Sequence, residues 1–418
     1  MILRNFFNES VGGNGLEMNV TGTIDMNTAN GNTFDGFDLS ITTITNGTFT
    51  NNTANDNATD VFLIGASGFD FEFTDFTGTF TDNTSRRTGN NAFLATTNGF
   101  DISGTNFTGD FNGNTSTDHG NNVLFGAAGN GFNLDIENFD GNMNGNEGSN
   151  NNGDEFNISG ETFVGSFSDN RAAENSDDGF DLEINNFGTD LNPVSFTLNE
   201  AINNGDHGFE MSGDLFVGLI DDNRAIDNST DDGMFLDYDR LVARITNNRF
   251  LGNGNSGNEA GLYILSNNNT TSTVLIEDNV FGTAANENEV GLHVESAFGS
   301  VINLNVIDNS FFSDDESVRI VSARSFLFAD GTVNLNIFDN ETNNDYQFIR
   351  ETGFGADGVF RLGFEPGMNE NDVADQIATN RNTTGGGAPS TSISGENTSG
   401  SDYQFITRGS IPLPPVFP

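Results

Sequence analysis

The sequence predicts an all-β solenoid of about thirteen stacked coils, and three observations predict it. An apolar residue is followed three positions later by asparagine at Ile2/Asn5, Ile24/Asn27, Phe49/Asn52, Phe80/Asn83, Phe111/Asn114, Met143/Asn146, Phe167/Asn170, Phe196/Asn199, Ile220/Asn223, Ile245/Asn248, Ile276/Asn279, Val306/Asn309 and Ile337/Asn340, at intervals of 22 to 32 residues. Ten residues after seven successive asparagines, an apolar residue opens another strand: Phe37, Phe62, Phe93, Leu124, Phe156, Phe180 and Phe209. Phe76, Phe107, Phe139 and Phe163 sit at matched phase, four residues before the apolar partner of the asparagine.

Each observation has a physical reading. A strand of alternating apolar residues must end at a corner, and asparagine tolerates the left-handed backbone that corners need. If each repeat is one coil, the thirteen amides lie one above another, each donating to the next carbonyl, which satisfies polar groups that point inward. The phenylalanines at matched phase are expected to be core residues stacked along the axis.

The chain in order gives four segments. Residues 1–365 are read as the solenoid, with a basic coil of about 24 residues, as from Phe156 to Asn170 and onward. Three coils carry an addition around Val61–Ser67, Ala92–Asn98 and Val123–Asn130, followed by Gly68-Phe69, Gly99-Phe100 and Gly131-Phe132. Residues 366–380 read as a short capping helix, with asparagine at its start and acids in its first turn. Residues 381–400 are Gly/Ser/Thr-rich and read as a flexible linker. Residues 401–418 repeat an earlier phrase, Asp345-Tyr-Gln-Phe-Ile349, as Asp402-Tyr403-Gln404-Phe405-Ile406, before a proline-rich tail that cannot continue a sheet.

Because Ile2/Asn5 already belongs to the column, the first coil is expected either to continue a longer chain or to be covered by a neighbouring subunit. The second case gives head-to-tail self-association, with the strand at Tyr403, Gln404, Phe405 and Ile406 as the assembly element.

Composition narrows the partners. The formal net charge is −47, and every one of the 14 basic residues is arginine. A field of that sign repels phosphate, so nucleic acid is excluded, and acidic polysaccharide requires a bridging cation. There is no cysteine, so disulfides and thiol chemistry play no part. No apolar stretch is long enough to span a membrane. The expected setting is extracellular or at a cell surface, with a carbohydrate or surface ligand.

Alternating strands, Asn corners and Gly-apolar strand starts resemble the right-handed parallel β-helix repeat family, which has the pectin-lyase-like fold. The resemblance covers roughly residues 2 to 365 and implies right-handed coiling with long parallel sheets. That fold carries adhesins and fibres as well as polysaccharide lyases and hydrolases, so the function rests on the site. A structural surface adhesin or fibre subunit is the expected role, and a polysaccharide-degrading enzyme is the alternative.

The sharpest candidate site is an acidic stripe. Eight or nine residues after the column asparagine come Asp154, Asp178, His207 and Asp232, the last three preceded by Asp177, Asp206 and Asp231. Adjacent coils are about 4.8 Å apart, so these carboxylates must face water, share protons or bind a cation. Calcium suits such oxygen ligands, which gives Asp154, Asp177, Asp178, Asp206, Asp231 and Asp232 as the metal candidates. Asp177-Asp178 and Gly205-Asp206-His207-Gly208 also resemble, loosely, the acidic pair and the histidine motif of polygalacturonase-like enzymes. On that alternative Asp177, Asp178, Asp206 and His207 are catalytic, while the family's Asn-Thr-Asp and Arg-Ile-Lys motifs are missing. His119 and His293 are expected at the surface.

Overall fold

The computed structural model describes residues 2–3, 6–8, 16–18, 22–58, 65–89, 96–120, 129–254, 259–322, 331–350, 359–364, 391–394 and 403–417. Contacts sort the chain into two compact units, residues 1–186 with 198–210, and residues 187–197 with 211–418. Both are built from coils of a right-handed parallel β-solenoid, the hand that crossovers between parallel strands take.

In the first unit, the long strands Phe37–Thr50, Phe69–Thr81, Phe100–Asn112, Phe132–Asn144 and Phe156–Ser168 pair in parallel. A second sheet stacks the three-residue strands Thr28–Asn30, Thr53–Asn55, Thr84–Arg86, Thr115–Thr117, Glu147–Ser149, Arg171–Ala173 and Glu200–Ile202. Each short strand begins directly after a column asparagine. The ten-residue interval from asparagine to the next strand is therefore not one corner: it holds a strand of its own.

The register also differs from the sequence expectation. Phe37 pairs with Phe69, Phe69 with Phe100, Phe100 with Phe132 and Phe132 with Phe156. The additions thus lie before the strand starts, and Phe69, Phe100 and Phe132 are the equivalents of Phe37. Phe62, Phe93 and Leu124 lie outside the described residues.

The core is aromatic because the register stacks identical rings. Phe37, Phe69, Phe100, Phe132, Phe156, Phe180 and Phe209 form a column with centroid spacings of 4.6–4.9 Å. Phe76, Phe107, Phe139 and Phe163 form another at 4.7–4.8 Å, as their phase predicts. Opposite them the short strands present Ala29, Ala54, Ser85, Ser116, Gly148, Ala172 and Ala201, small enough to leave room for the rings.

The asparagine column is present as a hydrogen-bonded ladder. From Asn27 through Asn52, Asn83, Asn114, Asn146 and Asn170 to Asn199, each Nδ2 donates to the next Oδ1 at 2.9–3.0 Å. Asn5 lies outside the described residues. The left-handed backbone, however, belongs to the residue before each asparagine: Met26, Asn51, Asp82, Gly113, Gly145, Asp169 and Leu198 have φ between 54° and 65°. The asparagine is selected for its inward amide, and the turn beside it accepts any residue able to bear a positive φ.

The second unit keeps the ladder, from Asn223 through Asn248, Asn279 and Asn309 to Asn340, at 3.0 Å. Here, after the undivided strand Met234–Thr246, the long strand is divided, as in Ala260–Ser266 followed by Thr271–Glu277 and Asn288–Ser296 followed by Val301–Ile307. Its core is more aliphatic, although Phe250, Phe281 and Phe311 still stack.

Two C-terminal expectations change. Within the stretch read as a linker, Thr391–Ser394 is a strand paired with residues 346–349. Tyr403–Thr407 pairs in parallel with residues 360–364, so Tyr403, Gln404, Phe405 and Ile406 extend the sheet of their own chain. The helix read over 366–380 lies outside the described residues. No helix among the described residues is long and apolar enough to cross a membrane.

Candidate functional site

The acidic stripe occupies a corner just before the long strands, and it has a structural task there. In the first unit, the backbone N–H of Asn130 donates to Asn98 Oδ1 at 3.2 Å, and that of Asp154 to Asn130 Oδ1 at 3.0 Å. The N–H of Asp178 then donates to Asp154 Oδ1 at 3.0 Å, and that of His207 to Asp178 Oδ1 at 2.7 Å. This is a further ladder, in which a carboxylate oxygen replaces an amide oxygen as acceptor. Oδ1 of Asp154 and of Asp178 is committed to the backbone, and both residues are buried.

Around this ladder the structure brings together most of the predicted residues. Ligand atoms of Asp154, Asp177 and Asp178 lie within 4.8 Å of one another, as do those of Asp178, His207 and Glu210. His207 Nδ1 is 3.3 Å from Asp178 Oδ1 and 3.8 Å from Glu210 Oε2. The Asp178 and His207 side chains are only 11% and 13% exposed, so this pair is held largely away from water. Asp206 lies beside Asp177, its N–H donating to the Asp177 carbonyl at 3.3 Å. Asp231 and Asp232 belong to the second unit, where Asp232 Oδ1 accepts the Ala260 N–H at 2.5 Å and Asp231 Oδ1 accepts the Asp232 N–H at 3.1 Å. They follow the same corner rule.

Burial controls the protonation of the cluster. Desolvation raises the Asp178 carboxyl, opposed by the hydrogen bond and charge of His207. Desolvation also raises Asp154 and Asp177, the latter helped by the charge of Asp206. Asp181 is pushed up to about 7 by desolvation and by the charges of Asp154, Glu210 and Asp178. Asn157 Nδ2 bridges Asp154 Oδ2 at 3.1 Å and Asp181 Oδ2 at 3.3 Å.

Asp181 and Glu210 do not stand out in the sequence, yet a signal exists. Each follows a strand-opening phenylalanine, as do Asp38, Asp70 and Asp101, so an outward acid recurs one step after the inward ring. The last three gather with Asp35, whose carboxyl is pushed up to about 6 mainly by desolvation, while Asp70 rises to about 7 for the same reason. Asp35 Oδ1 accepts the Ser67 N–H at 2.6 Å, continuing the use of acids at this corner.

Both histidines expected at the surface are buried. His119 is fully enclosed in a second inward ladder, five residues after the first, formed by Asn32, Asn57, Asn151, Asn175 and Asn204. Its Nδ1 accepts the Thr88 N–H at 3.1 Å, and its own N–H donates to Asn151 Oδ1 at 3.0 Å, so the imidazole replaces an asparagine. His293, in the second unit, stacks on Tyr263 with ring centroids 4.3 Å apart. On the neighbouring strand, Arg319 Nε pairs with Glu316 Oε2 at 2.6 Å.

The donor sets distinguish two cation types. Asp154, Asp177 and Asp178 offer oxygen only, as a hard divalent cation prefers, whereas Asp178, His207 and Glu210 mix nitrogen and oxygen as a transition metal prefers. With Asp154 Oδ1 and Asp178 Oδ1 accepting backbone hydrogen bonds, the oxygen set supplies few of the six to eight ligands that calcium takes, and water must complete its shell. Comparison with protein-family models, with curated proteins and with solved structures finds no match to this chain.

Proposed function

We propose that the chain is a polysaccharide-acting solenoid whose acid–base site is the cluster of Asp178, Asp181, His207 and Glu210, with Asp154, Asp177 and Asp206 around it. The observation that carries this reading is the contact between Asp178 and His207 at 3.3 Å, both side chains largely buried, beside an Asp181 carboxyl pushed up to about 7. Hydrolysis of a glycosidic bond needs one carboxyl that is protonated and one that is not. Asp181 holds its proton to near-neutral pH and donates it to the leaving oxygen. Asp178, supported by His207, takes a proton from the attacking water as the C–O bond breaks. The net charge of −47 favours a neutral glycan, or an acidic one screened by a divalent cation.

The test is release of reducing ends from a panel of neutral and acidic polysaccharides, with calcium and with chelator. Cleavage by the wild-type chain, reduced by about a hundredfold or more in Asp178→Asn, supports the reading. No cleavage of any member under either condition sinks it.

A structural role, as a surface adhesin or fibre subunit in an extracellular setting, is the second reading. It is favoured by the backbone hydrogen bonds that Asp154 and Asp178 accept, which give these acids a purpose without chemistry. On that reading calcium at Asp154, Asp177 and Asp178 stiffens the corner, and calorimetric titration with calcium checks it.

A further inference from the structure

Asp178, His207 and Glu210 meet across one step of the solenoid, and the backbone fixes where each side chain starts. The N–H of Gly179 donates to the His207 carbonyl at 3.0 Å and that of Phe180 to the Gly208 carbonyl at 3.1 Å. The Phe180 and Phe209 rings stack 4.8 Å apart. Asp178 and His207 each stand two residues before one of these rings, so they share one level of adjacent coils. Glu210 follows the inward Phe209 directly, and strand alternation turns it to the outer face.

The three side chains approach at distances that suit a shared ion. His207 Nδ1 is 3.3 Å from Asp178 Oδ1 and 3.8 Å from Glu210 Oε2. A hydrogen bond between an ionised pair is shorter, about 2.7–2.9 Å. Ligands set tetrahedrally at about 2.0–2.1 Å from a zinc ion stand about 3.3 Å from one another. The first distance already has that value. The second needs a shift of about half an ångström, and Glu210 is the most exposed of the three side chains. Asp178 Oδ1 also accepts the His207 N–H at 2.7 Å, and a carboxylate oxygen has a second lone pair to offer a metal. That bond orders two of the ligands in advance, so little freedom is lost on binding.

We propose that Asp178, His207 and Glu210 bind a zinc ion, and that the bound ion switches off the acid–base chemistry of the same corner. One imidazole nitrogen, two carboxylate oxygens and a water complete a four-coordinate shell. Calcium takes six to eight oxygens and is poorly served by three donors of which one is nitrogen. The two carboxylates balance the two charges of the ion, and the field of a chain with net charge −47 draws cations to it. Zinc on Asp178 and His207 Nδ1 occupies the pair that takes a proton from water, so the ion and catalysis exclude one another. The inhibition rests on the acid–base reading above, whereas the binding does not.

Calorimetric titration of the full chain with zinc, with cobalt(II) absorption as a second probe of a four-coordinate site, tests this. His207→Gln keeps the backbone N–H that the corner ladder uses, and Glu210→Gln lies outside that ladder, so the test does not hang on one variant folding. Zinc is expected to bind the wild type, to bind each variant about tenfold or more weakly, and to stay bound in excess calcium. The cobalt absorption is expected to be lost in His207→Gln. No zinc binding, an unchanged affinity in either variant when folded by circular dichroism, or displacement by calcium overturns the site. Where the chain releases reducing ends, saturating zinc is expected to lower the rate about tenfold or more, and a chelator to restore it. An unchanged or raised rate with the site filled overturns the switch. A chain that binds zinc in this way and cleaves nothing keeps the site and sinks the acid–base reading, and the switch with it.

Discussion

Glu155 occupies the space that Gly148 leaves. A Cβ on Gly148 would lie 1.6 Å from Glu155 Oε1, and the Glu155 side chain is fully enclosed, with Asn151 Nδ2 donating to its Oε2 at 2.7 Å. Equivalent coils have glycine where Glu155 stands, at Gly36, Gly68, Gly99, Gly131 and Gly179, and small side chains such as Ala54, Ser85 and Ser116 where Gly148 stands. The two departures compensate each other. Gly148→Ala is expected to destabilise the fold by about 1–3 kcal/mol, as overpacking does, measured by urea denaturation.

The same residue makes stability depend on pH. Burial raises the Glu155 carboxyl well above its ordinary value, so the folded chain keeps a proton that the unfolded chain releases. Its contribution is full below the ordinary glutamate range and is lost as pH rises towards the folded value. Glu155→Gln keeps the shape and removes this term. The variant is expected to lose less stability than the wild type between pH 4 and 8, and an unchanged slope would contradict the assignment.

His119 gives the opposite sign. Burial lowers its pKa to about 3, so the unfolded chain binds a proton near pH 6.5 that the folded chain refuses. Stability from this site is complete above that value and falls as pH drops towards 3. His119→Asn restores the usual ladder residue and is expected to fold normally without this acid dependence, whereas His119→Ala leaves the Thr88 N–H without an acceptor and costs about 1–3 kcal/mol.

Asparagine is abundant in this chain, but its positions are not equivalent. Asn114 is buried: Nδ2 donates to Phe80 O and Asn146 Oδ1, while Oδ1 accepts from Asn83. Asn142 is exposed, with one bond to Asp110. Asn114→Ala is expected to cost about 2–4 kcal/mol and Asn142→Ala less than about 0.5 kcal/mol, by thermal or urea unfolding.

How much of this was legible in the sequence follows from how tightly each position is constrained. The first ladder could be read because only an amide both donates and accepts inside that corner, so asparagine recurs at a fixed offset from an apolar residue. The second ladder is not legible because Thr88 and His119 interrupt it, and the third shows only as an acidic stripe because Asn98, Asn130, Asp154, Asp178 and His207 all supply the same acceptor or backbone donor. An acceptor-only task leaves residue identity loose. The additions before Phe69, Phe100 and Phe132 misplaced the strand starts, since Phe62, Phe93 and Leu124 offer the same apolar signal at the expected spacing. Of the site, Asp154, Asp177, Asp178, Asp206 and His207 are legible as a stripe, while Asp181 and Glu210 join it only through the register of the strands.

The most direct test of the acid–base assignment is the pH–rate profile for release of reducing ends, in wild type and in Asp181→Asn. The account predicts a wild-type rate that falls above about pH 7, as Asp181 loses the proton it must donate, and a variant whose rate is much lower and lacks that limb. A wild-type profile flat through pH 7, or an Asp181→Asn variant with undiminished rate and the same limb, would contradict it.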